Sequence, residues 1–161
     1  MSRYGSGAKP LRAMTLALFL LALLVGCDDH PDALPARGDW RIVNYWAIWC
    51  APCRAEVPEL NELDRLTNIT VLGVNFDGKQ GAALRSDADE LGIRFAVLET
   101  DPGTRLGIAR PNQLPTTLLI NPRGQLIRAL LGPQTRASLL DALRQAGADL
   151  TEPLVTSEND V

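Results

Sequence analysis

Residues 49–53 read Trp49-Cys50-Ala51-Pro52-Cys53, and the sequence on either side confines this pentapeptide to a strand–helix junction. Before it runs Ile42-Val43-Asn44-Tyr45-Trp46-Ala47, a near-continuous apolar stretch of the kind that forms a strand buried on both faces. After it, Leu60, Leu63 and Leu66 recur at helical spacing. A C-x-x-C placed there puts the Cys50 sulfur at a helix N-terminus. The helix dipole and unpaired backbone N–H groups at that end favour the thiolate over the thiol. A thiolate is the nucleophile of disulfide exchange, so the spacing points to redox chemistry. Two other readings remain open. A metal site asks for about four ligands, whereas the chain has three cysteines and one histidine, His30. Cu(I) accepts two thiolates and is the metal that the pair could hold. A structural disulfide closing so short a loop would constrain the unfolded chain little.

The N-terminus has a different character. Arg3, Lys9 and Arg12 lead into Ala13–Val25, a run of 13 residues without a charge. That is shorter than the roughly 20 residues of a membrane-spanning helix and has the layout of a secretory signal peptide. It ends in Leu24-Val25-Gly26-Cys27, which resembles a bacterial lipobox. The resemblance implies a signal peptide over residues 1–26 and lipidation of Cys27. Two or more acyl chains anchor stably where one does not. A tether of residues 27–39 would follow, with Pro31, Pro35 and Gly38. Asp28 directly after the cysteine resembles an inner-membrane retention signal. Lipidation also accounts for the odd cysteine and leaves Cys50 and Cys53 as a pair.

Removing residues 1–26 takes away three of the 16 basic residues and no acidic one. Thirteen bases then stand against 19 acids, a net charge of −6. Nucleic-acid binding wants a basic face, so that class is excluded. A hydrophobic content of 46% suits one globular domain.

Beyond the motif, the pattern predicts a helix from Cys50 to about Leu66 that Pro58 should kink. A β-branched strand is expected over Ile69–Phe76, a helix over Lys79–Leu91 and a short strand over Phe95–Leu98. A helical turn falls within Pro102–Ile108. Thr116–Ile120 and Gln125–Leu130 flank Asn121-Pro122-Arg123-Gly124, a hairpin signal. Thr135 caps a last helix with the stripe Leu139, Leu140, Leu143, and Gly147 ends it. The globular domain is therefore expected over 40–147 and a flexible tail over 148–161. The order β-α-β, α, β, α, hairpin, α calls for an α/β fold. Its economical form is a central mixed sheet of four to five strands flanked by helices on both faces.

Taken together, these residues resemble the thioredoxin superfamily, and within it the TlpA/ResA-type branch of bacterial envelopes. Asn44-Tyr45-Trp46-Ala47-Ile48-Trp49-Cys50-Ala51-Pro52-Cys53, Gly73-Val74-Asn75-Phe76-Asp77 and Leu114-Pro115-Thr116-Thr117 carry the likeness, which runs from Trp40 to Ala146. The resemblance implies a cis Pro115 whose loop, through the Leu114 backbone, pairs with extended substrate beside Cys50. It implies a Cys50 nucleophile, exposed and acidic, and a more buried resolving Cys53. Trp49 would be a partly exposed docking aromatic. Ala51 and Pro52 shape the loop, and Asn44 would hydrogen-bond in the core beneath the site. Glu56 could tune a pKa or pass a proton, or could equally be a solvated acid stabilising the helix N-terminus. No cofactor beyond the dithiol is implied and no metal.

Two departures stand out. The 12 residues between Cys27 and Trp40 leave no room for the branch's N-terminal hairpin. Position 44 holds Asn where cytoplasmic thioredoxins carry a buried Asp. The expected activity is a lipid-anchored thiol:disulfide oxidoreductase on the periplasmic side. It would reduce protein disulfides with electrons from a membrane donor. Thr116 after the proline speaks mildly against the apocytochrome-reducing subgroup. A Cu(I) metallochaperone and a non-catalytic holdase are the readings from other classes.

Overall fold

A computed structural model describes residues 34–150 of the chain. The expected signal peptide, Cys27, Asp28, His30 and residues 151–161 lie outside them. Among the described residues, five strands and four helices follow in the order β1 (Trp40–Trp46), α1 (Ala51–Leu63), β2 (Ile69–Asn75), α2 (Gly81–Leu91), β3 (Ala96–Leu98), α3 (Gly103–Leu106), β4 (Thr116–Ile120), β5 (Leu126–Leu131) and α4 (Arg136–Gln145). The strands form one mixed sheet ordered β3-β2-β1-β4-β5. β1 is parallel to β2, and β2 to β3, while β4 and β5 run antiparallel. The sheet, its strand count and its antiparallel hairpin match the expectation.

Alternation along β1 divides the core. Trp40 and Ile42 pack with Leu60 and Leu63 of α1 and with Leu139 and Leu143 of α4. Trp46 packs with Val57 of α1 and with Leu84, Ala88 and Leu91 of α2. Val43 and Tyr45, pointing the other way, join Leu72, Val74, Leu118 and Ile120. All three long helices thus bury their stripes on one face of the sheet. Among the described residues, the other face carries only the four-residue α3, through Leu106, with Ile108 and Leu34. Helices flank both faces as expected, but very unequally.

Local signals account for the element ends. Thr135 caps α4 in a full capping box with Ser138: each side chain accepts from the other's backbone N–H. Asn121 Oδ1 accepts from the N–H groups of Arg123 and Gln125 and closes the hairpin turn. α1 runs through Pro58 and stops at Leu63, one turn short of the expected Leu66. There Asp64 Oδ1 accepts from Val71 N at 2.7 Å and ties the helix end to β2. Gly73 is demanded by packing: a Cβ there would sit 2.8 Å from Trp46 Nε1.

The packed domain is wider than 40–147. Leu34, assigned to the tether, is buried among Val43 and Tyr45. Ala148, assigned to the tail, belongs to the main core cluster, and Leu150 packs against it. Both are isolated apolar residues in polar surroundings, so no periodicity marks them.

Candidate active site

Cys50 is the N-cap of α1, in extended conformation, and Ala51 and Pro52 are the first two helical residues. The missing N–H of Pro52 is one of the donors that lack an intrahelical partner anyway. Cys50 and Cys53 are joined in a disulfide with their Cα atoms 5.3 Å apart. The Cys53 N–H points at Cys50 Sγ, 3.2 Å away. A sulfur in that position gains charge stabilisation from the helix end once the disulfide opens.

The expected exposure of Cys50 is corrected. It is 4% exposed and Cys53 1%. Both sulfur residues sit in the Trp46, Ala47, Val57 cluster, with Ile48, Phe76 and Leu114 packed against it. The order of exposure is the expected one, but the oxidised pair presents only a sliver of surface. Ala51, Pro52 and Trp49 around it are open to solvent. Trp49 is 63% exposed. Its Nε1 donates to the Asp77 carboxylate at 3.1 Å, and its ring meets Phe76 edge-on at 6.3 Å. The Arg110 guanidinium lies 4.3 Å over the other aromatic, Phe76, and also donates to the Phe76 carbonyl. In the sequence Phe76 figures only as part of the second-strand motif, and Arg110 is not singled out.

The Leu114–Pro115 bond is cis, as expected. Leu114 packs against the cysteine cluster, and the Pro115 carbonyl accepts from Gly132 N at 2.9 Å. This loop, the end of β1, the α1 N-terminus and the end of β5 converge on one end of the sheet.

Beneath the disulfide lies a buried polar group. Glu56, one helical turn after Cys53, is buried in the α1 stripe of Cys53, Glu56, Val57 and Leu60. Its Oε1 accepts from Asn44 Nδ2 at 2.7 Å and its Oε2 from Gln134 N at 2.9 Å. Asn44 Nδ2 also donates to Thr117 Oγ1. The solvated alternative for Glu56 is therefore overturned, and the core role of Asn44 stands. Burial raises the Glu56 carboxyl above its usual 4.5, and the bonds from Gln134 and Asn44 pull only partly the other way.

One residue along β1, the Tyr45 hydroxyl donates to Asp101 Oδ1 at 2.7 Å on the opposite face. Burial first, and this bond second, push the phenol well above its ordinary value.

A thioredoxin-like fold with a C-x-x-C disulfide capping α1 and a cis-proline loop across from it defines the class. The chain belongs to the AhpC/TSA family, whose model matches residues 30–129. It is 38% identical over 119 residues to the thiol:disulfide interchange protein DsbE homolog of Paracoccus denitrificans, covering 71% of this chain and 63% of that one. It is 33% identical over 105 residues to the thiol:disulfide interchange protein HelX of Rhodobacter capsulatus, covering 65% and 58%. The chain thus spans about three fifths of the length of these two relatives. The crystal structure of a thioredoxin-family thiol:disulfide interchange protein from Chlorobium tepidum matches the fold with a TM-score of 0.58 at 23% identity, over 70% of this chain and 82% of that one.

Proposed function

We propose that the chain is a thiol:disulfide oxidoreductase that reduces disulfides in other proteins. The observation that carries this reading is the Cys50–Cys53 disulfide at the N-cap of α1, with the Cys53 N–H aimed at Cys50 Sγ. The names of the relatives, thiol:disulfide interchange proteins, support the disulfide chemistry.

In the reduced enzyme the Cys50 thiolate attacks a substrate disulfide. An S–S bond forms between Cys50 and substrate, and the other substrate sulfur leaves as a thiolate. Cys53 loses its proton and attacks Cys50 Sγ. The intramolecular disulfide forms, and the second substrate thiolate departs. The substrate gains two electrons and the enzyme is left oxidised, the state in the structure. Return to the dithiol takes two electrons from a dithiol donor, which we assign to the membrane. Glu56 is the nearest buried carboxylate along α1 to Cys53 in sequence, and its raised affinity for protons suits it to accept the Cys53 proton. Asn44 holds it in place. Trp49 and the Leu114–Pro115 loop dock the extended substrate by backbone pairing. The lipobox-like Leu24–Cys27 supports an anchor on the periplasmic side through acylated Cys27, with Asp28 favouring the inner membrane. No helix among the described residues is long and apolar enough to cross a membrane.

The test is a trap. Cys53→Ser, expressed in cells, should accumulate a reductant-sensitive mixed disulfide between Cys50 and another protein, and Cys50→Ser should not. Adducts equally abundant in both variants, or absent from both, contradict the reading. A holdase would bind chains undiminished in Cys50→Ser.

A further inference from the structure

β5 is an edge strand unlike the rest of the sheet. β1 and β4 are buried throughout, whereas β5 is exposed at every residue but the half-buried Leu130. Ile127 is 43% exposed and Leu131 60%. The Gly132–Pro115 hydrogen bond sets the alternation with β4. In that alternation the N–H and C=O groups of Ala129 and Leu131 point away from β4. A register shift between Leu119 and Ile120 interrupts the ladder opposite Ile127. The pairable part is therefore Arg128–Leu131, the half next to the cis-proline loop.

The charge of this region is opposite to that of the chain. Residues 121–150 hold Arg123, Arg128, Arg136 and Arg144 against Asp141 and Asp149, in a chain of net charge −3. Arg123, Arg128 and Arg144 are exposed. Among the described residues none of these three meets a carboxylate; Arg128 donates to the neutral Gln145 side chain. Elsewhere Arg54, Arg65, Lys79 and Arg85 have acidic partners, while Arg110 lies over the Phe76 ring.

We propose that the Arg128–Leu131 edge binds an extended, acidic and apolar segment of a partner protein by strand addition. Two other occupants fit less well. Lipid cannot satisfy the outward backbone groups of Ala129 and Leu131. A second copy paired antiparallel along β5 would bring two sets of arginines together. An extended acidic segment satisfies both the backbone and the charge. The edge is continuous with the cis-proline loop through Gly132 and Pro115, so a partner on it lies at the same end of the sheet as that loop. Binding there needs no thiol chemistry, and its failure leaves the redox reading standing.

The probe is an acetylated and amidated hexapeptide of alternating valine and glutamate, titrated onto the oxidised full-length chain. Its counterpart alternates valine and lysine. The glutamate peptide should slow amide exchange at Ala129 and Leu131 and bind about tenfold tighter than the lysine peptide, the sum of two or three cross-strand charge pairs. Arg128→Glu should reverse that preference. Ala129→Pro removes an outward N–H without touching the ladder to β4, and should abolish binding while the circular dichroism stays unchanged. Equal binding of both peptides overturns the proposal. So does protection confined to the Leu114–Pro115 loop. Protection that rises with protein concentration alone would assign the edge to a second copy, and protection by phosphatidylglycerol vesicles but not by peptide would assign it to lipid; either overturns it too.

Discussion

Asn44 and Tyr45 are neighbours on β1, yet they serve two different buried polar pairs. Asn44 faces the long helices and holds Glu56, which lies one helical turn after Cys53 and is buried. Tyr45 faces the other way and donates to Asp101, an exposed residue at the start of the loop that leads to Leu114 and Pro115. The first pair is sealed and has all its partners inside the protein. The second is anchored inside but keeps its acceptor in contact with solvent. The same strand thus holds a buried carboxyl one helical turn from Cys53 and, on its other face, a tether to the segment that leads to the cis-proline loop. Burial of the acceptor separates the two roles.

The largest effect should come from emptying the sealed pair. Glu56→Ala leaves one N–H of the buried Asn44 amide and the half-buried Gln134 N–H without an acceptor and should cost about 2–3 kcal/mol in urea denaturation. Glu56→Gln keeps one acceptor and should cost less. A cost below that of Tyr45→Phe would erase the distinction between the two pairs.

The carboxyl also gives the sealed pair a pH signature. Its folded pKa is raised above the usual 4.5, so the folded state binds more protons than the unfolded state between those two values. The contribution of Glu56 to stability is then full below about pH 4.5 and is lost as pH rises through the folded pKa. Relative to Glu56→Gln, the native protein should lose stability across that window and stay level above it. The opposite slope would mean that the bonds to Gln134 and Asn44 outweigh burial.

Tyr45→Phe should cost about 1 kcal/mol, because Asp101 returns to water rather than being stranded. Amide exchange in residues 99–114 should quicken while that around Glu56 does not. The smallest effect belongs to Trp49→Ala. That ring is mostly in solvent, so stability should change by less than about 0.5 kcal/mol, although turnover of protein disulfides should fall. A large loss of stability would make Trp49 a packing residue instead.

The sequence showed the site's frame well because its signals are local. W-C-x-P-C, the Thr135 cap and the Asn121–Gly124 turn each act within a few residues, and resemblance supplied the cis Pro115. What it hid depends on distant contacts. Glu56 meets Gln134 across 78 positions, and Tyr45 meets Asp101 across 56. The helical stripe Cys53, Glu56, Val57, Leu60 did place Glu56 on the apolar side, a signal outweighed by its charge. Burial of Cys50 depends on Leu114 and Phe76 arriving from other segments. The uneven cover of the two sheet faces likewise follows from where α2 packs, which its own periodicity does not state.

The central claim is that Cys50, at the N-cap of α1, is the ionised nucleophile. Alkylation of the reduced protein by iodoacetamide across pH, with the modified residue identified at each point, tests it directly. The account predicts that Cys50 reacts first, with an apparent pKa clearly below the ordinary thiol value of about 8.5. An apparent pKa at or above that value, or modification of Cys53 before Cys50, would contradict it.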